Sequence, residues 1–180
     1  MHLLHRLGQS FRYAPALALM GLAALPLAAS AGDYPQRAPG LWQITTSSAM
    51  GAAPSPASVV QQCVDADSDQ KLQQMGAGMS SQMKCEVNES RQQGDQYIGH
   101  VVCQMGPSKM EVRSVTQGDF SKAYTMTSEA SFTPAMAGMK SSKSTMEAKW
   151  IGACKPDQKP GDVILPGGQK MNLVSGAPAQ

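Results

Sequence analysis

The sequence predicts a mainly β fold: an antiparallel meander of about six strands, forming a curved sheet or a partly closed barrel, with one short helix and two disulfides. Three observations predict it. Inward and outward residues alternate with period two from Ala123 to Phe132 and from Ser144 to Cys154, which is the pattern of half-buried strands. Short polar, Gly-containing turns separate successive segments, which favours neighbouring antiparallel strands. Four cysteines, Cys63, Cys85, Cys103 and Cys154, follow an export-like leader. An even count in an exported chain reads as two disulfides.

The leader comes first. His2, His5, Arg6 and Arg12 form a positive segment without acids, Ala14 to Leu27 is apolar, and Ala29-Ser30-Ala31 is an A-x-A cleavage site. Together they read as a secretory signal peptide over residues 1–31, cleaved after Ala31. No later segment approaches the ~20 apolar residues of a spanning helix, so the mature chain is expected to lack a transmembrane segment. Residues 32–154 then read as one disulfide-stapled β domain, and residues 155–180 as a Pro/Gly-rich tail whose end has little to bury.

Within the domain, Gly40 to Thr46 is the first expected strand, with Trp42, Ile44 and Thr46 on one face. Met50 to Pro56 reads as a small-residue loop. Gln70 to Met75 is helix-forming, with Asp67 or Ser68 as N-cap and Gly76 and Gly78 as terminators. Met83 to Met105 reads as a hairpin. Its Gly94 lies nine residues from both Cys85 and Cys103. A three-residue loop, Gln93-Gly94-Asp95, would set Cys85 opposite Cys103 and Val87 opposite Val101, whereas a two-residue Gly94-Asp95 loop would put Cys85 opposite Gln104, so the cysteine spacing selects the three-residue register. Opposed residues in an antiparallel pair lie within disulfide reach. Cys63–Cys154 follows by elimination and ties the domain's two ends together. Lys109 to Gln117 is the next strand, bearing Met110, Val112 and Val115. On the alternating strand after it, Tyr124, Met126, Ser128, Ala130 and Phe132 share a face. Pro134 to Lys140 reads as a loop, and the last strand points Met146, Ala148, Trp150, Gly152 and Cys154 inward.

Composition narrows the function classes. The chain has 15 Lys/Arg and 13 Asp/Glu. Loss of Arg6 and Arg12 with the leader makes these numbers equal, so there is no electrostatic footprint for nucleic acid. The sole mature histidine, His100, falls opposite the cysteine face with Ile98 and Val102, without a G-x-S-x-G or paired-acid motif beside it. With the thiols in disulfides and no C-x-x-C present, neither a cysteine nucleophile nor a redox pair is expected. The expectation is no enzyme, no cofactor and no metal. Two patterns press against the last point. Asp65-x-Asp67-x-Asp69 imitates the start of a Ca²⁺ loop, but Gln70 and Gly76 stand where Gly and Glu are required. Met75, Met79 and Met83 at four-residue spacing, with Met136 and Met139, offer soft thioethers of the kind that suit Cu(I). Gap-filling by methionine is the plainer reading.

These landmarks taken in order are Pro39-Gly40-Leu41-Trp42, Cys63 before a short helix, the Cys85/Cys103 hairpin, and Lys149-Trp150-Ile151-Gly152-Ala153-Cys154. The chain thereby resembles an exported bacterial family known as domain of unknown function 3617. The resemblance implies a small β-rich fold and the periplasm of a Gram-negative cell, and it carries no catalytic residues.

Two functions follow as expectations. The first, which needs fewer assumptions, is a non-catalytic structural or partner-binding envelope protein whose apolar residues simply form its core. The second is a carrier or sensor of a small apolar ligand held on the concave face by Trp42, Met126, Phe132, Met146 and Trp150. The first class takes an envelope protein as partner, the second an apolar small molecule.

Overall fold

A computed structural model describes residues 34–50, 53–81 and 83–178. The expected signal segment therefore lies outside the described residues. The chain runs β1 (Gly40–Met50), β2 (Ala53–Val64), α1 (Ala66–Ser81), β3 (Lys84–Gln93), β4 (Gln96–Met105), β5 (Ser108–Asp119), β6 (Ala123–Met136), β7 (Met139–Gly152), β8 (Asp162–Ile164), β9 (Lys170–Asn172) and β10 (Ala177–Pro178). All ten strands join one antiparallel sheet in the order β10-β9-β8-β2-β1-β7-β6-β5-β4-β3. The sheet is open, with β3 and β10 at its edges. The meander β3 to β7 returns its last strand to β1, so the first and last strands of the expected domain are neighbours.

β6 has the expected alternation, and the register carries it across the sheet. Tyr97, Thr116, Met126, Met146 and Thr46 are consecutive partners across β4, β5, β6, β7 and β1. Directly opposed residues share a face, so these five make one row on the side that α1 covers. Ile44, Ala148, Tyr124 and Gly118 make the next row. Trp42, Ile44, Val64 and Ala148 form the central core, with Leu72 of α1, Tyr124 and Met146 packed against them.

Both disulfides are present, Cys63–Cys154 and Cys85–Cys103. The hairpin reaches its pairing by a different route from the one expected. Its loop has two residues, Gly94-Asp95, between paired Gln93 and Gln96, with Gly94 at φ 63°. A bulge between Cys85 and Val87 then shifts the register by one and restores Cys85 opposite Cys103. Val87 consequently pairs with Val102, not Val101. A second bulge, between Leu41 and Trp42 against β7, sets Leu41 opposite Gly152 and Trp42 opposite Trp150. That phase change brings Cys154 to Cys63, which is Leu41's partner on β2, rather than onto the Trp42 face.

Five segments differ from expectation. α1 continues through Gly76 and Gly78, expected as its terminators, to Ser81. Met50 to Pro56, read as a loop, largely belongs to β2. Beyond β1, β2 meets another strand only at Gln61 and Gln62, so Pro54 and Pro56 sit on an open edge where a missing N–H costs no ladder bond. Met136 and Met139 pair around a tight Ala137-Gly138 turn with φ 48° and 82°, positive values that match the strand twist. The cap of α1 is Asp65. Its carboxylate accepts from the Ser68 amide at 2.8 Å, and the Ser68 hydroxyl accepts from the Asp65 amide at 2.9 Å, a reciprocal capping box. The segment past Cys154 is not a loose tail. Val163 and Ile164 pair with β2, and Val163 is buried, because the apolar Val163-Ile164 run covers an edge that β2 would otherwise expose.

Candidate functional site

The residues ahead of β1 build one wall of the site. The Ala38 amide donates to the Phe120 carbonyl at 3.0 Å, the Trp42 indole to the Ala38 carbonyl at 2.8 Å, and the Gln73 amide to the Pro35 carbonyl at 3.5 Å. This pins residues 34–39 between α1 and the β5–β6 turn. Tyr34 then meets Tyr97 with ring centroids 5.5 Å apart, Tyr97 meets Phe120 edge-on at 5.7 Å, and Phe120 stacks on Tyr124 at 4.5 Å. The aromatic series ends at Trp42, 5.8 Å from Tyr124.

Arg37 lies under this wall. Its amide and Nε donate to the two carboxylate oxygens of Asp69 at 2.9 and 2.7 Å, and Nη1 donates to Gln62 at 2.9 Å. Gln73 adds a bond to Asp69 at 3.1 Å. Arg37 is 8% exposed and Asp69 fully buried. A carboxylate with that burial is tolerated only when paired and hydrogen-bonded on both oxygens, and here both are engaged. The guanidinium also lies 5.8 Å from the Trp42 ring centroid. The Tyr124 phenol, buried close by, has its pKa raised chiefly by burial.

Between α1 and the sheet these residues line a partly open cleft of about 490 Å³, within the range of small-molecule sites. Its walls are apolar: Ile44, Leu72, Phe120, Tyr124, Met126 and Met146, with Met75 and Leu173 toward the rim. Met75 is 46% exposed, and Met75 and Leu173 also line an adjoining groove beside β9. One polar feature is out of keeping. Thr116, in the same cross-strand row as Met126, is fully buried and lines the pocket, and its Oγ1 has no hydrogen-bond partner. It is the single buried side-chain polar atom in that condition among the described residues.

Of the five residues expected on a ligand face, Met126 and Met146 line this pocket. Trp42 is wholly buried in the core below it. Phe132 is buried but lies six residues along β6 from Met126 and is not among the pocket's walls. Trp150 is 40% exposed. Its indole lies over Gly40 and donates to the Pro39 carbonyl at 3.0 Å, so it covers the sheet's end. Arg37, Asp69, Leu72, Thr116 and Phe120 were not anticipated. Two signals pointed to some of them: Thr116 continues the alternation of Met110, Val112 and Ser114, and Asp69, Leu72 and Gln73 share a helix face at i, i+3 and i+4.

The remaining candidates lie elsewhere. Of the Ca²⁺-like acids, Asp65 caps α1 and Asp69 is committed to Arg37. His100 sits on the opposite side of the sheet with Nε2 3.0 Å from Glu111, whose pKa is lowered first by Arg113 and then by His100. Met136 and Met139 pair across a turn remote from Met75, and the side chain of Met79 lies outside the described residues. No helix among the described residues is long and apolar enough to cross a membrane.

Compared with known proteins, residues 37–154 match the family model described as a protein of unknown function, DUF3617. No curated protein matches the chain, and no solved structure does.

Proposed function

Because the chain belongs to DUF3617, a family whose description names no function, we propose one from the geometry of the pocket: the protein is a non-catalytic binder of a small apolar ligand, acting outside the cytoplasm. The observation that carries this reading is the apolar space of about 490 Å³ between α1 and the sheet. A cleft of this size with walls from Ile44, Phe120, Met126 and Met146 has the apolar lining of a small-molecule site. The helix beside it is held at its N-terminal end by the Arg37–Asp69 pair, and its Leu72 lines the cleft together with Met126. The tripartite leader and the two disulfides support export.

Two measurements test the reading. Native mass spectrometry of protein purified from its own cells should detect a copurifying small molecule. Diphenylhexatriene, a hydrocarbon whose fluorescence rises in apolar surroundings, should bind one-to-one, and more weakly to Met126→Trp, which narrows the cleft at its wall. Absence of both the adduct and the fluorescence change would overturn the proposal. N-terminal sequencing of the exported form should begin at Gly32; a retained Met1 would overturn the export assignment.

A further inference from the structure

We infer that the ligand is a long, flexible hydrocarbon chain, acyl or polyprenyl, that leaves the cleft past Met75 and Leu173 and continues into the groove beside β9. The inference rests on the cleft reading above and adds the ligand's length and shape.

Shared walls supply the first part. The groove holds about 400 Å³ and nearly doubles the room beside α1. Met75 and Leu173 line both spaces, so the two meet at these side chains. Met75 is half-exposed there, and an unbranched thioether adapts its shape to what lies against it.

Register supplies the second. Trp42, Gln62, Val163 and Met171 are successive partners across β1, β2, β8 and β9. Opposed residues share a face, so Met171 lies on the side of the sheet that α1 covers, as the cleft does. By alternation Lys170 and Asn172 belong to the other side. Lys170 donates to the Asp157 carbonyl at 2.6 Å, and Asn172 donates to Asp162 and to the Pro160 carbonyl at 2.8 and 3.1 Å. The polar ends of β9 are thus engaged within the protein, and Met75, Met171 and Leu173 give the groove its apolar wall. The Gly161 amide donates to the Cys63 carbonyl at 2.8 Å, and the Leu173 amide to the Gly161 carbonyl at 3.0 Å. These bonds tie the end of β9 to β2 and hold the groove beside the cleft.

Distance supplies the third. From Met126 on β6 to Met171 on β9 the sheet runs β6-β7-β1-β2-β8-β9. Those five inter-strand spacings amount to at least about 24 Å. A compact ring system does not span that length, whereas one extended chain of octadecenoyl size nearly does. The groove residues of β9 lie beyond residues 37–154 that the family model matches, so the added length is supplied by this chain's own C-terminal segment.

Displacement of diphenylhexatriene by decanoate and by oleate tests this on the full oxidised protein at pH 8, below the micelle-forming concentration of either. The two share a head group, so their ratio reads the chain alone. Each methylene taken out of water is worth about four-fold in affinity. With its added length only partly covered in an open groove, oleate should bind at least about 100-fold more tightly than decanoate. Native mass spectrometry should show one oleate per chain. Met171→Gln, which lines the groove and not the cleft, should weaken oleate about ten-fold and leave decanoate unchanged, which also shows that the variant folds. Met75→Gln, at a half-exposed position, should lower the same ratio. Oleate falling short of its margin over decanoate, two oleates per chain, or an unchanged ratio in both variants would overturn the inference while leaving the cleft reading intact. Failure of the probe, decanoate and oleate alike to bind would overturn both readings together.

Discussion

Replacing Cys63 and Cys154 by serine should cost the fold more than replacing Cys85 and Cys103. The first pair is separated by 91 residues and the second by 18. In the chain-entropy description of a cross-link, the long loop contributes about 4.6 kcal/mol and the short one about 3.2 kcal/mol, a difference of about 1.4 kcal/mol. Local surroundings leave that ranking in place. Cys63 and Cys103 are both buried, so a serine hydroxyl is penalised similarly at either site. The hairpin link lies at the sheet's edge, where β3 is already held to β4 along its whole length. The long link joins the end of β2 to the residue pair beyond β7, flanking the central strand β1. For a domain of this size the difference corresponds to roughly 3–6 °C in melting temperature. Calorimetry and urea unfolding of the two double mutants would measure it, each fitted with its own m-value, because removing a cross-link lets the denatured chain expand. Equal or reversed losses would refute the entropic reasoning and place the effect in native packing or in residual structure of the unfolded chain.

Three further outcomes are expected. Arg37→Met should destabilise by about 3–5 kcal/mol because it strands the buried Asp69 carboxylate. Arg37→Met/Asp69→Leu should recover much of that loss, and strictly additive losses in urea melts would contradict the pairing. Thr116→Val should stabilise the ligand-free protein by about 1 kcal/mol, since it removes an unsatisfied buried hydroxyl without changing shape, and a lowered melting temperature would mean that the hydroxyl has a partner. Asp65→Ala should cost about 1 kcal/mol at neutral pH through the lost cap. The folded-state pKa of Asp65 is depressed below 3.8, mainly by its side-chain bond with Ser68, so its contribution is present above that pH and is lost as pH falls through the lower folded value. The gap between wild type and Asp65→Ala should accordingly narrow below pH 3.8, and a gap independent of pH would refute the carboxylate's role.

Much of the sheet was legible in the sequence because alternation is a property of near neighbours. Tyr124, Met126, Ser128, Ala130 and Phe132 share a face from period two alone, and the structure keeps them there. Strands that lacked that signal were missed. β2 begins with small residues and prolines on an open edge, and β8 to β10 have two or three residues each, too few to display a period. The hairpin shows a subtler limit. A three-residue loop and a two-residue loop followed by a bulge both set Cys85 opposite Cys103, so cysteine spacing cannot separate them, yet they assign Val87 different partners.

The sequence by itself determined the β class and the order of the β3 to β7 meander, which arise from spacing along the chain, whereas the Cys85–Cys103 pairing it led to expect is delivered by a bulge that spacing does not reveal. Tertiary structure alone decided the pocket. Arg37 reads as an ordinary cation ahead of the first strand until Asp69, 32 residues later, is buried against it. Trp150 reads as inward until the bulge opposite Leu41 leaves it over Gly40 at the sheet's end. Thr116 reads as one polar residue in a strand until packing buries its hydroxyl beside the cleft without a partner. Burial of a charge or an orphaned hydroxyl depends on which distant surface arrives to cover it, and that is set by packing between elements rather than by any local pattern.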